Sequence, residues 1–311
     1  MTDIQNHSHT HLNMITRDAT KRLAVSLALT LVFVFGEAIA GYLANSLALL
    51  TDAAHNFTDV LALGLSWYAL RLTSLPPNSR KTFGYHRAGI LVALINSTSL
   101  VLISIGIFYE AYHRLIDPPP VKADLLIGVG LIAFIINLVT AWLVHRGSDQ
   151  DLNLRSAYVH LMGDVLSTLG AVIAGVIILA TGWYWVDALT SLFIGILILW
   201  NAVRILRETI NILLESTPAD IDVNHMVSDI LNIKGVHGIH DLHVWSISQN
   251  LRLLSAHLVT DDVPISSGNQ IQANVKSLIK HKYGIVHSTL QLECRQCESV
   301  MLHCDLNGIE R

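Results

Sequence analysis

The stretch SLALLTDAAHNFTDVLALGLSWYAL, residues 46–70, is long and apolar enough to cross a bilayer as a helix, yet it carries Asp52, His55 and Asp59. An aspartate at the bilayer centre costs roughly 2.5–3.5 kcal/mol on insertion scales, so such residues persist only where they serve a purpose. His55 and Asp59 are four residues apart, one helical turn, which stacks an imidazole nitrogen and a carboxylate oxygen on one helix face. The pattern returns deep in another apolar stretch as His160-Leu-Met-Gly-Asp164, and Val-Leu follows both copies. Two such helices side by side make a cage of two imidazoles and two carboxylates. That donor set suits a tetrahedral divalent cation, zinc first, and its two negative charges cancel those of the ion. The bland alternative is a hydrogen-bonded cluster that only glues helices together. Glue is commonly built from Ser, Thr and Asn, which cost less to bury, so the doubled His-x-x-x-Asp spacing favours the metal.

Working outward, the chain has 311 residues, 52% of them hydrophobic and only 14% charged. Soluble domains carry about 25% charged residues, so a polytopic α-helical membrane protein with lipid as its surroundings is the expected class. Six apolar segments reach the ~20 residues a spanning helix needs: Leu23–Ala44, Leu47–Leu70, Ala88–Tyr112, Leu125–Val144, Leu154–Ala180 and Trp185–Leu206. Their short connections make neighbours antiparallel. The polar opening Met1–Asn13 and the long first apolar run do not fit a cleavable signal peptide, so the first helix is expected to stay. Arg17, Lys21, Arg22, Arg71, Arg80, Lys81, Arg87, Arg146, Arg155, Arg204 and Arg207 fall on one side and only Arg114 and Lys122 on the other, which places both termini in the cytoplasm. Trp183, Tyr184 and Trp185 fit an outer aromatic belt, and Pro118-Pro119-Pro120 an outer turn. A net charge of −4 without a dense Lys/Arg run argues against a nucleic-acid partner.

After Glu215 the composition becomes that of a soluble domain. The expected division is a flexible His-containing tail over 1–20, a transmembrane domain over 21–210, and a cytoplasmic regulatory and dimerisation domain over 211–311. In the last, a helix over Asp220–Asn232, strands over His240–Ser248 and Leu251–Thr260, a helix over Ser267–Tyr283 and a strand over Ser288–Glu293 give an αββαβ order, an α+β sandwich with its helices on one face. This domain is rich in donors: His237, His240, His243, His257, Glu293, Cys294, Cys297, His303 and Cys304. Cys294-x-x-Cys297 with His303-Cys304 has zinc spacing, although reduced cytoplasmic thiols read the same way. His7, His9 and His11 suit a metal-collecting arm or a tail with no role. Asp52, one turn outward of His55, either relays a proton or receives the departing metal, or else faces the headgroups. Glu37, Asn96 and Asn137 read as packing or cavity-lining groups, and His86 as a solvated loop residue.

The run Ser46-Leu-Ala-Leu-Leu-Thr-Asp52-Ala-Ala-His55-x-x-x-Asp59, with His160-x-x-x-Asp164 and His240-Asp-Leu-His-Val-Trp245, resembles the cation diffusion facilitator family, zinc/cadmium/cobalt branch, over nearly the whole chain. The resemblance implies a homodimer that exports cytoplasmic zinc in exchange for protons, with cadmium, cobalt and nickel as further substrates. It also implies a tail of the metallochaperone, ferredoxin-like kind, and no catalytic residue. Carried over by position, His55, Asp59, His160 and Asp164 form the transport site, in the two-His, two-Asp version of zinc-preferring members. Arg87 and Glu215 match an interlocking charge network near the dimer contact. His240, His257, Gln291 and Glu293 match tail metal positions, but Gln291 stands where some relatives have histidine, which weakens that site or shifts it toward Cys294 and Cys297. The loop between helices two and three lacks the donors of a second site. The short His145–Leu154 connection lacks a long histidine-rich loop, which points to a bacterial source and hence the bacterial cytoplasmic membrane.

Two rival classes stand beside this reading. An intramembrane metalloenzyme needs a general base beside its ion, and no His-Glu-x-x-His is present. A membrane-anchored sensor would signal through the tail without transporting, and would keep responding to metal after Asp59→Ala.

Overall fold

Among the described residues, six helices come before the soluble part: α1 (Thr30–Ala44), α2 (Leu47–Thr73), α3 (Ala88–Ile116), α4 (Ala123–Ser148), α5 (Leu152–Thr181) and α6 (Trp185–Leu213). The computed structural model describes residues 30–148, 152–249 and 251–294, without the side chains of 146–148 and 152–157. The first part of the expected first span, from Leu23, lies outside the described residues, as do His7, His9, His11, Cys297, His303 and Cys304. Contacts divide the chain into two units, Met1–Trp67 with Ile95–Ile205 and Tyr68–Leu94 with Leu206–Arg311.

Among the described residues, α3, α6, the Ala123–His145 part of α4 and the Tyr158–Thr181 part of α5 are long and apolar enough to cross a membrane. In α2, Asp52, His55, Asn56 and Asp59 offset the hydropathy of an otherwise apolar helix of 27 residues. Large apolar side chains such as Leu102, Tyr109, Trp142, Leu179 and Trp200 face outward, which lipid tolerates and water does not. The protein is an integral membrane protein. Several helices outrun their apolar spans: α6 runs to Leu213, beyond the expected Leu206, and α3 to Ile116, beyond Tyr112.

Two devices hold the helices that matter. The first backbone N–H groups of a helix have no internal partner, and inside a membrane no water supplies one. In α2 the buried Asp187 of α6 does so: it accepts from Ser46 Oγ at 2.6 Å, Leu47 N at 2.6 Å and Ala48 N at 3.3 Å, while Ser46 Oγ accepts from Leu49 N at 3.3 Å. The turn before α2 is fixed too, since Arg114 Nη1 donates to Asn45 O at 2.8 Å and Lys122 N to Ala44 O at 2.9 Å. The second device joins α4 to α5 through small residues. Ala133, Ala171 and Ala174 are at most 1% exposed, and a Cβ on Gly175 would lie 2.6 Å from Ile127 Cγ1. Such close backbone approach is how helices bind each other where hydrophobic association is weak.

In the second unit, α7 (Val223–Leu231) begins three residues after the expected Asp220, because Asp222 caps it, its side chain accepting from Asn224 N and His225 N. Strand β1 (Gly238–Ser248) pairs antiparallel with β2 (Leu251–Val259), and α8 (Ile265–Tyr283) leads to β3 (Ile285–Glu293), parallel to β2. The order αββαβ is as expected. Strand β3 begins three residues before the expected Ser288, because Gly284, at φ 66°, ends α8 at once and Ile285 immediately pairs with Arg252. Met226, Ile230, Leu242, Val244, Leu254, Leu258, Val275 and Ile279 fill the core under the helices. Alternation then turns Ser255 and His257 to the opposite face of β2.

Candidate metal transport site

The two His-x-x-x-Asp repeats meet. His55 and Asp59 from α2 and His160 and Asp164 from α5 form a ring in which each imidazole lies between two carboxylates. Taken around the ring, His55 Nε2 is 3.6 Å from Asp59 Oδ2, Asp59 Oδ2 is 3.0 Å from His160 Nε2, His160 Nε2 is 3.8 Å from Asp164 Oδ2, and Asp164 Oδ1 is 3.4 Å from His55 Nε2. A tetrahedral zinc with bonds of about 2.0–2.2 Å has donor–donor edges of about 3.3–3.6 Å. His55, Asp59 and His160 offer ligand atoms within 4.8 Å of one another, while Asp164 turns Oδ1 to His55 and Oδ2 to His160, so Asp164 must shift to give one oxygen to an ion shared with the other three. His55 and Asp164 form the deep half, with side chains 9% and 11% exposed, and Asp59 and His160 the open half, at 31% and 40%. His55 Nδ1 is buried without a partner, so the protein does not hold that imidazole from behind.

Asp52 is buried and accepts from Asn56 Nδ2 at 3.1 Å; it does not face outward. Asn56 also reaches Glu37 Oε2 at 3.5 Å, so Glu37, read from sequence as a packing group, belongs to a buried polar cluster. His86 is half-buried, more enclosed than a solvated loop residue. Arg87 Nη2 donates to Glu215 Oε1 at 2.7 Å within one chain, an ion pair with both side chains at least 40% exposed and hence worth about 0–1 kcal/mol.

In the tail unit, His240 of β1 and His257 of β2 are cross-strand partners, and Glu293 at the end of β3 takes both: His240 Nε2 to Oε2 at 2.9 Å and His257 Nδ1 to Oε1 at 2.9 Å. Their ligand atoms lie within 4.8 Å of one another. Gln291 pairs with His257 in register, but its Nε2 donates to Glu293 Oε1 at 2.8 Å, so it steadies the carboxylate. Cys294 is exposed and stands apart from this group. His243 is 3.0 Å from Asp241 and His237 3.1 Å from Asp261, both away from the cluster. Asp241 follows His240 near the start of β1, where the sequence sets donors side by side. It sits at φ 50° in the bulge between His240 and His243 and turns Oδ2 toward His257 Nε2 at 3.5 Å. A carboxylate behind a ligating imidazole fixes its tautomer and orientation.

A bundle of apolar helices enclosing a ring of nitrogen and oxygen donors, with a small soluble α+β unit after it, defines a membrane carrier for metal cations. The chain matches the model of the cation efflux transmembrane domain over residues 23–214 and that of the cation efflux protein cytoplasmic domain over residues 218–294, and it belongs to the cation efflux family of transporters. It is 40% identical to the "Cadmium, cobalt and zinc/H(+)-K(+) antiporter" of Bacillus subtilis, covering 88% of each chain. It is 36% identical to the "Zinc transporter ZitB" of Pectobacterium atrosepticum, over 97% of this chain and 92% of that one. A solved structure of the "Metal-bound C-terminal domain of the CzcD transporter from Cuprividus metallidurans" is 29% identical, covers 24% of this chain and 99% of its own, and has a TM-score of 0.22.

Proposed function

We propose that this transporter exports zinc from the cytoplasm in exchange for protons, by alternating access at His55, Asp59, His160 and Asp164. The observation that carries the reading is the closed His–Asp–His–Asp ring drawn from two helices. Each donor binds either a proton or the metal, so zinc entering the ring releases protons, and protons arriving from the outer side release zinc. The relatives' names, a zinc transporter and a cadmium, cobalt and zinc antiporter, support zinc with cadmium and cobalt beside it, and nickel is added on the similarity of its donor chemistry alone. The membrane is the bacterial cytoplasmic membrane, with both termini inside. The chain works as a homodimer, with Arg87 and Glu215 in a charge interlock near the contact.

His240, His257 and Glu293, extended by Cys294 and Cys297, bind zinc in a tail that regulates transport. The domain limits remain 1–20, 21–210 and 211–311. Asp52 stands one turn from the ring, placed to relay a proton. The test is zinc uptake into inside-out vesicles with an acidic interior. Wild type should accumulate zinc on the gradient and Asp164→Ala should not; a wild type indifferent to the gradient refutes antiport.

A further inference from the structure

The cluster of Glu37, Asp52 and Asn56 lies outside the ring, and its oxygens are not all accounted for. Glu37 on α1 and Asp52 on α2 are 1% and 2% exposed. The two carboxyls are neighbours, each bearing on the other electrostatically. Asn56 Nδ2 serves one oxygen of each, Asp52 Oδ2 at 3.1 Å and Glu37 Oε2 at 3.5 Å. The other two, Glu37 Oε1 and Asp52 Oδ1, are buried with no hydrogen-bond partner among the described residues. Two bare anions side by side, each with an orphaned oxygen, are not tolerated at such depth; a cation between them is what the free oxygens call for.

We infer that Glu37, Asp52 and Asn56 form a second cation site, separate from the zinc ring, that holds the monovalent counter-cation of the exchange. Its donors are hard carboxylate oxygens with no imidazole or thiolate among them, the chemistry of a proton or an alkali ion and not of zinc. The inference rests on the antiport reading and adds a reason for the coupling. The charged groups bearing on Asp52 are Glu37 from α1, His55 from its own helix and Asp164 from α5, and the last two are ring members. Asp52 precedes His55 by three residues, about 4.5 Å along a helix, so zinc in the ring sets two positive charges close to the second site in a medium that screens them poorly. Zinc and the counter-cation then exclude one another by charge, without sharing a ligand.

The experiment uses the full chain in proteoliposomes at zero membrane potential, reading the steady-state zinc accumulation ratio against an imposed pH gradient and, separately, against an imposed potassium gradient. With n counter-cations per zinc, the logarithm of the ratio rises by n per tenfold gradient. Glu37→Gln should lower that slope by one, a tenfold loss of accumulation per decade, while zinc bound per chain stays as in wild type. Loss in the pH arm identifies the proton, and loss in the potassium arm an alkali ion. Asp52→Asn should give the same loss of one and serves where Glu37→Gln does not fold. Wild-type slopes in both variants overturn the site, and so does loss of zinc binding in both, which would make the cluster structural. A wild type that accumulates no zinc on either gradient refutes the antiport reading itself.

Discussion

Replacing Asp164 by asparagine separates a metal ligand from polar glue, because the two roles predict opposite signs for the stability of the metal-free protein. Asp164 is 8% exposed, and its oxygens lie 3.4 Å from His55 Nε2 and 3.8 Å from His160 Nε2, so it makes no short hydrogen bond that asparagine would lose. Asparagine keeps the shape and one acceptor and removes the charge. If Asp164 were glue, loss of a buried partner would cost about 1–3 kcal/mol. If it is retained for the ion, removing a carboxylate that costs roughly 2.5–3.5 kcal/mol at the membrane centre leaves the metal-free variant at least as stable as wild type. The zinc side follows from ligand number. Four-ligand zinc sites are worth about 10–16 kcal/mol, or about 2.5–4 kcal/mol per ligand, which is on the order of 100- to 1,000-fold in dissociation constant. At zinc a hundred times the wild-type constant, the ion stabilises wild type by about 2.7 kcal/mol and the variant by about 0.4 kcal/mol or less. Thermal unfolding of the purified full chain with and without zinc reads both quantities, with Glu293→Gln in both proteins to silence the tail. A metal-free variant that melts below its parent and is still protected by zinc as strongly would refute the assignment.

Glu293→Gln should by itself lower the zinc bound per chain by one ion, since among the described residues Glu293 is the single carboxylate facing both His240 and His257, and leave gradient-driven uptake measurable; unchanged stoichiometry in equilibrium dialysis would count against the tail site. Asp187→Asn turns an amide nitrogen toward N–H groups the carboxylate now satisfies. It should destabilise the protein by about 1–3 kcal/mol, read as a lower melting temperature without change in zinc stoichiometry. In the tail, burial and then the hydrogen bond to Asp229 push the Tyr283 hydroxyl up to about 12. A raised folded-state value means the contribution is complete below about pH 10, the unfolded value, and is lost as pH rises through about 12, so the tail of wild type should lose more stability over that window than that of Tyr283→Phe. Asp229 is shifted the other way: Lys282 and then Tyr283 hold it below the usual carboxylate range, and its contribution is lost only in acid, below about pH 4.

The ring was legible because its information is local. A His and an Asp one turn apart in an apolar helix announce a shared face, and two copies announce a meeting. The αββαβ order was equally readable from hydrophobic alternation and turn residues. Partners brought from far along the chain were not. Asp187 looks like an ordinary acidic start to α6, yet the N–H groups it satisfies lie about 140 residues earlier. Glu37 looks like a packing residue until Asn56 is placed against it. Asp241 acquires a role only because a bulge turns it toward His257. Gln291 stands out in the sequence as a departure from histidine, but only the fold shows that its amide braces Glu293.

These non-local contacts also constrain how the ring can open. Asp187 satisfies the first turn of α2 where no water can replace it, so separating α2 from the start of α6 would strand a buried carboxylate and two N–H groups at once. The close Gly175–Ile127 approach likewise ties α5 to α4, because the gain lies in backbone contact that a small displacement forfeits. Ring members thus sit in two firmly held pairs, His55 and Asp59 with α2 and α6, His160 and Asp164 with α5 and α4. The two pairs share an apolar cluster, Ala48 and Leu49 of α2 with Leu126 of α4 and Ala171, Ala174 and Ile178 of α5, and at the ring they meet through His160–Asp59 at 3.0 Å and His55–Asp164 at 3.4 Å, polar pairings that protons or zinc can make and unmake. A change of protonation or metal acts on the polar part of this seam and leaves the apolar part packed, which is what a carrier that must release its cargo without coming apart needs.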